Sequence, residues 1–214
     1  MWNQLNLFCG WIDIPLSAEG IREAQRAGAH LARYEIDLIF ASELERSTET
    51  AVIALADHPS GRVPYILHQG GDDLARWSQP PQQSLPQLIP LIQARALNER
   101  MYGELQGMNK DEARAQFGAE QVHQWRRSFD EAPPGGESLK QTAERTLPFF
   151  DQQILPRLQE GKTILICAHG NSLRSIIMEI ERLSTDEILQ FELSTGVPRV
   201  YRLEKERLVL EAVS

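Results

Sequence analysis

The stretch Thr163-Ile164-Leu165-Ile166-Cys167-Ala168-His169-Gly170-Asn171-Ser172-Leu173-Arg174 decides the fold of this chain. Its first half is an apolar run of strand length, and an apolar spacing of helical period begins directly after the polar triplet that follows. His169 therefore falls at a strand-to-helix turn, beside the unpaired amides and positive dipole end of a helix N-terminus, where anions bind readily. A blander reading has equal standing on these residues alone. In it Gly170 relieves strain in a tight turn, Asn171 caps the helix, and His169 is merely nearby.

The same alternation recurs on either side. Ser17 is placed to cap a helix running to about Tyr34, in which Ile21, Ala24, Gly28 and Leu31 form a narrow, closely packing face. A strand is expected at residues 36–40, a helix at 44–55 and a second strand at 63–67. Such alternation marks an α/β fold, a mostly parallel sheet flanked by helices in three layers. Residues 68–94 break the pattern, because Gly70, Gly71, Pro80, Pro81, Pro86 and Pro90 deny a long helix or a central strand there. A surface excursion with short helical pieces is expected, either a lid or a loop without function. Further on, Asn109 starts a short helix that Gly118 ends, and residues 120–129 are helical. The run Pro133-Pro134-Gly135-Gly136 forces a loop. Ser138 with Gln141 has capping-box spacing and opens a long helix to about Gln159, which Pro148 is expected to kink. Ser184 with Glu187 repeats the capping signal, and residues 200–203 and 208–210 can form a last pair of strands. No internal repeat interrupts the chain, so residues 1–214 are expected to form a single domain.

With 214 residues and 42% hydrophobic content, the chain can bury a substantial core. Its formal net charge of -8 argues against general binding of nucleic acid or anionic membranes, so phosphate chemistry needs a local basic cluster. The longest apolar runs are strand-sized and nothing resembles a signal peptide, which predicts a cytoplasmic protein. Cys9 and Cys167 are too few for a disulfide framework and lack metal-ligand spacing; Cys167 reads as core, and no metal is implied.

Polar groups suited to phosphate chemistry are spread over several connections, and each has an innocent reading. Arg46 lies in the first turn of a helix, where arginines are usually solvated. Glu99, in Leu97-Asn98-Glu99-Arg100-Met101-Tyr102-Gly103-Glu104-Leu105-Gln106-Gly107, is either a general acid/base raised by partial burial or simply the partner of Arg100 or Arg46. Arg126 and Arg127 follow Trp125 on a helix, where neighbouring residues diverge by about 100°, so one is expected to face solvent and the other to lie along Trp125. Lys110, near a helix start, is ordinarily exposed.

Taken together, these blocks resemble a known family. Trp2-Asn3 with Asn6, the stretch from Phe8 to Pro15, Leu16-Ser17, the segments around Glu99 and Arg126, Pro133 to Leu139 and Ala168 to Arg174 closely resemble the cofactor-dependent phosphoglycerate mutases of the histidine phosphatase superfamily. The resemblance covers nearly the whole chain. It implies an isomerase of glycolysis and gluconeogenesis that interconverts 2-phosphoglycerate and 3-phosphoglycerate through a phosphohistidine made from 2,3-bisphosphoglycerate, without metal. It implies that His169 and Arg46 stabilise the equatorial phosphoryl oxygens, where catalysis rests on positioning and on cations. Glu99 would exchange a proton with the substrate hydroxyl. Asn3, Cys9, Gly10, Tyr102, Lys110, Arg126, Arg127, Gly170 and Asn171 match ligand-binding positions, and a homodimer is implied by the family alone.

The chain departs from the family in two places. The family's phosphorylated histidine lies in an Arg-His-Gly-Glu motif on a first strand just before Trp-Asn, whereas this sequence begins Met1-Trp2-Asn3. The expectation is therefore an N-terminally truncated mutase with its first strand missing, without turnover and poorly folded. Losing a handful of buried side chains at roughly 1.5–3 kcal/mol each rivals the whole stability of a domain. The alternative is a non-catalytic remnant that binds phosphoglycerates or does nothing. The smaller departure is Cys9, where the family usually has threonine, a stronger hydrogen-bond donor.

Overall fold

The computed structural model describes residues 5–211. Helix α1 (Ala18–Leu31) is opened by Ser17, whose side chain accepts from the Gly20 amide, and leads to strand β1 (Leu38–Ala41). Helix α2 (Glu45–Ala54), strand β2 (Val63–Ile66), a short helix α3 (Asp73–Trp77) and strand β3 (Leu88–Gln93) follow. Next come α4 (Lys110–Phe117), α5 (Ala119–Arg127) and α6 (Leu139–Phe149), then a π-helical segment, Phe150–Ile154, that continues into α7 (Leu155–Gln159). Strand β4 (Ile164–Cys167) feeds α8 (Gly170–Glu181), and α9 (Thr185–Gln190) precedes the hairpin of β5 (Tyr201–Glu204) and β6 (Arg207–Leu210).

Four parallel strands pair in the order β2-β3-β1-β4, and β5 and β6 make a separate antiparallel pair. Successive side chains of a strand point to opposite faces, and the core divides accordingly. Ile39 and Ala41 of β1, Ile89 and Leu91 of β3 and Cys167 of β4 pack with Ala27 and Leu31 of α1 and Ala51 and Ala54 of α2. Leu38, Phe40 and Ile92 face the other way, against Phe150, Ile154 and Ile176. The outcome is helix, sheet and helix, the three layers that the alternation of elements led one to expect. Strand β4 is an edge strand among the described residues, and its Ile164, Leu165 and Ile166 are only half-buried.

Strand β3 is the main correction. The prolines of residues 68–94 argue against a central strand, yet β3 lies between β2 and β1. The reason is register. Ala94 donates to the Ala41 carbonyl of β1, and at that offset the missing amide of Pro90 faces Asp37, one residue before β1 begins. The proline removes no bond from within the ladder, so the sheet tolerates it. Only residues between β2 and β3 remain as the expected excursion, with α3 as one of its short helical pieces.

Smaller corrections concern helix α1, which ends at Leu31 rather than Tyr34, and Ile21, which is exposed rather than part of its packing face. Gly28 does meet α2 closely: a Cβ there would stand 2.3 Å from the Ala54 carbonyl oxygen. The long helix opened by the Ser138–Gln141 capping box takes up Pro148 by passing into π-helix one residue beyond α6, a known way to absorb a lost helical bond.

Candidate active site

The polar residues gather at the carboxyl ends of the strands. His169 follows β4, Ser42 and Arg46 follow β1, and Glu99 comes soon after β3. Connections leave β1 and β4 toward opposite sides of the sheet, and such a switch point opens a crevice that ligands use in α/β folds.

His169 itself is the N-cap of α8, and its amide donates to Ser172 Oγ at 3.2 Å. Asn171 is thus not the cap, which corrects the bland reading of the turn. Its backbone amide and side-chain Nδ2 instead donate to Glu99 Oε1, at 3.2 and 2.9 Å. The Arg100 amide gives the same oxygen a third bond at 2.6 Å. Glu99 Oε2 has no hydrogen-bond partner among the described residues, and it faces the open side of Gly170, where a Cβ would be 3.8 Å away. The carboxylate is therefore held by one oxygen and presents the other.

Neither guanidinium offered by the sequence as a partner of Glu99 pairs with it. Arg100 is buried and donates to the Trp125 carbonyl and the Tyr102 hydroxyl, at 3.1 and 3.3 Å. Arg46 donates to the carbonyls of Gly10 and Ile12, at 2.8 and 3.0 Å, and so shapes the loop that carries Cys9. A guanidinium has five N–H donors, which leaves Arg46 free donors for an anion. The Cys9 thiol donates to the Ile12 carbonyl at 3.6 Å, and burial pushes its pKa up despite Arg46 nearby. Burial also lowers the pKa of the His169 ring to about 4, with Glu99 pulling it up and Arg46 pushing it further down. The imidazole is neutral at pH 7.

Residues that sequence reasoning missed brace this arrangement. Arg145 donates to the carbonyls of Ala96 and Glu99, at 2.8 and 3.0 Å, and Trp11 Nε1 reaches the Glu99 carbonyl at 2.5 Å. Arg145 is fixed in turn by Glu137 at 2.8 Å. Burial pushes the Glu137 carboxyl up, but hydrogen bonds from Arg145 and the Met101 amide outweigh that and hold its pKa down. Nothing in the spacing of Trp11, Glu137 and Arg145 marks them as neighbours. Ser42 could have been noticed, because a small hydroxyl two residues past a predicted strand lies at the end of the sheet where the histidine emerges.

A second cluster lies beyond Tyr102. Phe8, Leu105, Ala113, Val122 and Trp125 form a small apolar core of their own, and cations stand on it. Lys110 Nζ and the Arg126 guanidinium are 5.9 and 6.0 Å from the Phe8 ring centre, and the Tyr102 ring is 5.1 Å from it. Arg126 therefore lies along Phe8 rather than Trp125, while Arg127 is exposed as expected. Lys110 is half-buried rather than exposed, and burial, then the charges of Arg126 and Arg114, lower its pKa. Lys110, Arg126 and Arg127 have no carboxylate partner among the described residues. Like charges collected in this way favour an incoming anion. Asn3, expected to bind ligand, lies outside the described residues. Among those described, no group of three or more His, Cys, Asp or Glu is placed to hold a metal ion, and no helix is long and apolar enough to cross a membrane.

A parallel sheet with a histidine at a helix mouth, a clamped carboxylate and arginines around them defines a class, and the comparisons bear this out. The chain belongs to the histidine phosphatase superfamily, branch 1, whose family model matches residues 1–71 and 73–214. Within it, the chain is 54% identical over 209 residues to the 2,3-bisphosphoglycerate-dependent phosphoglycerate mutase of Protochlamydia amoebophila (strain UWE25), spanning 97% of this chain and 92% of that protein. It is 53% identical to the protein of the same name from Chlamydia muridarum (strain MoPn / Nigg), spanning 100% of this chain and 94% of the relative. Among solved structures, Bacillus stearothermophilus YhfR superposes with a TM-score of 0.76 at 23% identity, covering 98% of this chain and 89% of that one. The alpha-ribazole phosphatase from Shigella flexneri gives 0.73 at 22%, covering 98% and 88%. These two likenesses speak for the fold.

Proposed function

We propose that the site is that of an enzyme interconverting 2-phosphoglycerate and 3-phosphoglycerate, in which turnover requires a nucleophilic histidine that these 214 residues do not place there. The observation that carries this reading is the linkage of two clusters through one segment: Glu99, clamped beside neutral His169, accepts from the Arg100 amide, Arg100 donates to the Tyr102 hydroxyl, and the Tyr102 ring packs on Phe8, over which stand Lys110 and Arg126, cations without a carboxylate partner among the described residues. A ligand with a phosphoryl group and a carboxylate or second phosphate would engage both, and the relatives' name agrees. His169, Arg46 and the first amides of α8 at Gly170 and Asn171 would hold the phosphoryl oxygens. Glu99 Oε2, the oxygen left free by Asn171 and Arg100, would exchange a proton with the substrate hydroxyl. Arg126, Arg127 and Lys110 would take the remote anionic group, bidentate where the guanidinium fork allows. The same residues suit 2,3-bisphosphoglycerate, which supplies the phosphoryl group when bound. From the family alone we extend the reading to a cytoplasmic homodimer; light scattering on the purified protein measures the oligomeric state.

The nucleophile is the open part of this reading. The chain contains no Arg-His-Gly-Glu sequence. Of its five histidines, His30 and His123 are exposed, His58 is buried against the Leu31 and Tyr34 carbonyls, and His68 follows β2 at the far edge of the sheet. Only His169 stands in the crevice. The 214-residue polypeptide is therefore expected to bind phosphoglycerates without turnover. Two measurements check this: a coupled mutase assay on the purified polypeptide, and the in-frame DNA upstream of Met1. Ordinary turnover would overturn the expectation, as would failure to bind 2,3-bisphosphoglycerate in isothermal titration. An upstream Arg-His-Gly-Glu codon string supports a longer mutase, and an early stop codon counts against it.

A further inference from the structure

One side chain joins the turn that carries Cys9 to the segment that carries Glu99. Residues 9–12 form a tight turn: the Ile12 amide donates to the Cys9 carbonyl at 3.0 Å, and Gly10 takes a left-handed conformation, φ +53°, that favours glycine. Arg46 holds this turn from α2 through the Gly10 and Ile12 carbonyls. Trp11 ties it to the Glu99 segment. The Trp11 amide donates to Gln106 Oε1 at 2.7 Å, and its indole Nε1 donates to the Glu99 carbonyl at 2.5 Å. The guanidinium carbons of Arg95 and Arg145 stand 4.8 and 5.7 Å from the indole ring centre, close enough for cation–π attraction.

The planarity of the peptide bond decides what the indole fixes. The Glu99 carbonyl and the Arg100 amide belong to one rigid plane. At its carbonyl end this plane accepts from Trp11 Nε1 and from Arg145 Nη2, the latter at 3.0 Å, so both lone pairs of the oxygen are used. At its amide end the Arg100 N–H donates to Glu99 Oε1 at 2.6 Å. The carboxylate hangs on the plane that Trp11 and Arg145 hold, with Asn171 steadying the same Oε1 from α8. The direction of the free Oε2 follows. Of the two donors to the carbonyl only Trp11 belongs to the turn, so a shift of the turn is passed to the plane and to Oε2.

We propose that Trp11 is a positioning residue that locks Glu99 to the turn at residues 9–12 and so aims Oε2 at the substrate hydroxyl. This role rests on the reading of Glu99 as the group that meets that hydroxyl. The two ligands separate the effects: 3-phosphoglycerate carries a free hydroxyl, whereas both hydroxyls of 2,3-bisphosphoglycerate are esterified, so only the first senses the aim of Oε2. The test is isothermal titration of the full 214-residue chain with each. Glu99→Ala is expected to lower the ratio of 3-phosphoglycerate to 2,3-bisphosphoglycerate affinity about tenfold, the loss of one hydrogen bond to a charged group. Trp11→Phe, which keeps an aromatic ring but has no N–H, is expected to lower the ratio in the same direction, about three- to tenfold. A variant that is merely loosened weakens both ligands alike, and an unchanged ratio in Trp11→Phe overturns the proposal. A second measurement needs only the native tryptophan. The Trp11 indole proton, assigned by NMR as Trp2, Trp77 and Trp125 are replaced in turn by phenylalanine, is expected downfield and slow to exchange with water. A fast-exchanging indole proton overturns the proposal whether or not Trp11→Phe folds. If Glu99→Ala leaves the ratio unchanged, the reading of Glu99 fails, while the indole proton still decides whether Trp11 ties the turn to the Glu99 carbonyl.

Discussion

The ring of His169 couples the site to stability through its proton. Folding lowers its pKa from 6.5 to about 4, first through burial. Between those values the unfolded chain binds a proton that the folded chain refuses, so acidification favours unfolding. The stability in question is fully present above the unfolded value and is lost as pH falls through 6.5 toward 4. Thermal melts between pH 7 and pH 5 check this: the wild type is expected to lose more of its melting temperature on acidification than His169→Gln, which has no such proton to gain. Parallel curves would show that the ring titrates alike in both states. The residue's part in the site was legible in the sequence, because a strand, a polar triplet and a helix follow one another there. Its partner Ser42, whose Oγ lies 2.7 Å from Nε2, and the hold of Asn171 on Glu99, were not. Those contacts join residues on different connections, and only the sheet order brings them together.

At the scale of elements, the contact between α1 and α2 is the sharpest test of the packing. Alanine is normally preferred to glycine inside a helix by about 1 kcal/mol, so Gly28→Ala would ordinarily stabilise α1. Here the added Cβ would meet the Ala54 backbone carbonyl at 2.3 Å. A backbone atom cannot swing aside as a side chain can, so one helix must be displaced, and overpacking of that kind costs about 1–3 kcal/mol. The substitution is expected to lower the melting temperature in thermal denaturation; an unchanged or raised value would mean that α1 can shift without loss. That a small residue belonged on this face was readable from the spacing of Ala24, Gly28 and Leu31. The capping boxes at Ser138 and Ser184 were readable for the same reason, since both rest on bonds within one turn. Strand β3 was not readable, because the cost of Pro90 depends on which neighbour its missing amide faces. That is a property of register, set by contacts from β1.

Across the whole molecule, the crevice draws on nearly every layer. The loop around Cys9, the turns after β1 and β4, the Glu99 segment and the helices α4 and α5 each supply part of it. Arg145 of α6 braces Glu99 from the second helical layer through a backbone carbonyl. A ligand that spans both clusters therefore ties together elements that would otherwise be joined only through the sheet. Binding to the native state alone stabilises it by mass action, about 2.7 kcal/mol at a ligand concentration one hundred times the dissociation constant. For a chain of this size that corresponds to a rise in melting temperature of about 5–10 °C. Thermal unfolding with increasing 2,3-bisphosphoglycerate is expected to show such a rise. Inorganic phosphate, too small to span both clusters, should give a smaller rise at equal concentration. Added salt should reduce the effect of both, since the attraction comes from a local cluster on a protein whose net charge is -8 and ions screen it over roughly 10 Å. Equal shifts with the two anions would separate the clusters in function, and no shift with either would remove the crevice as a phosphate site.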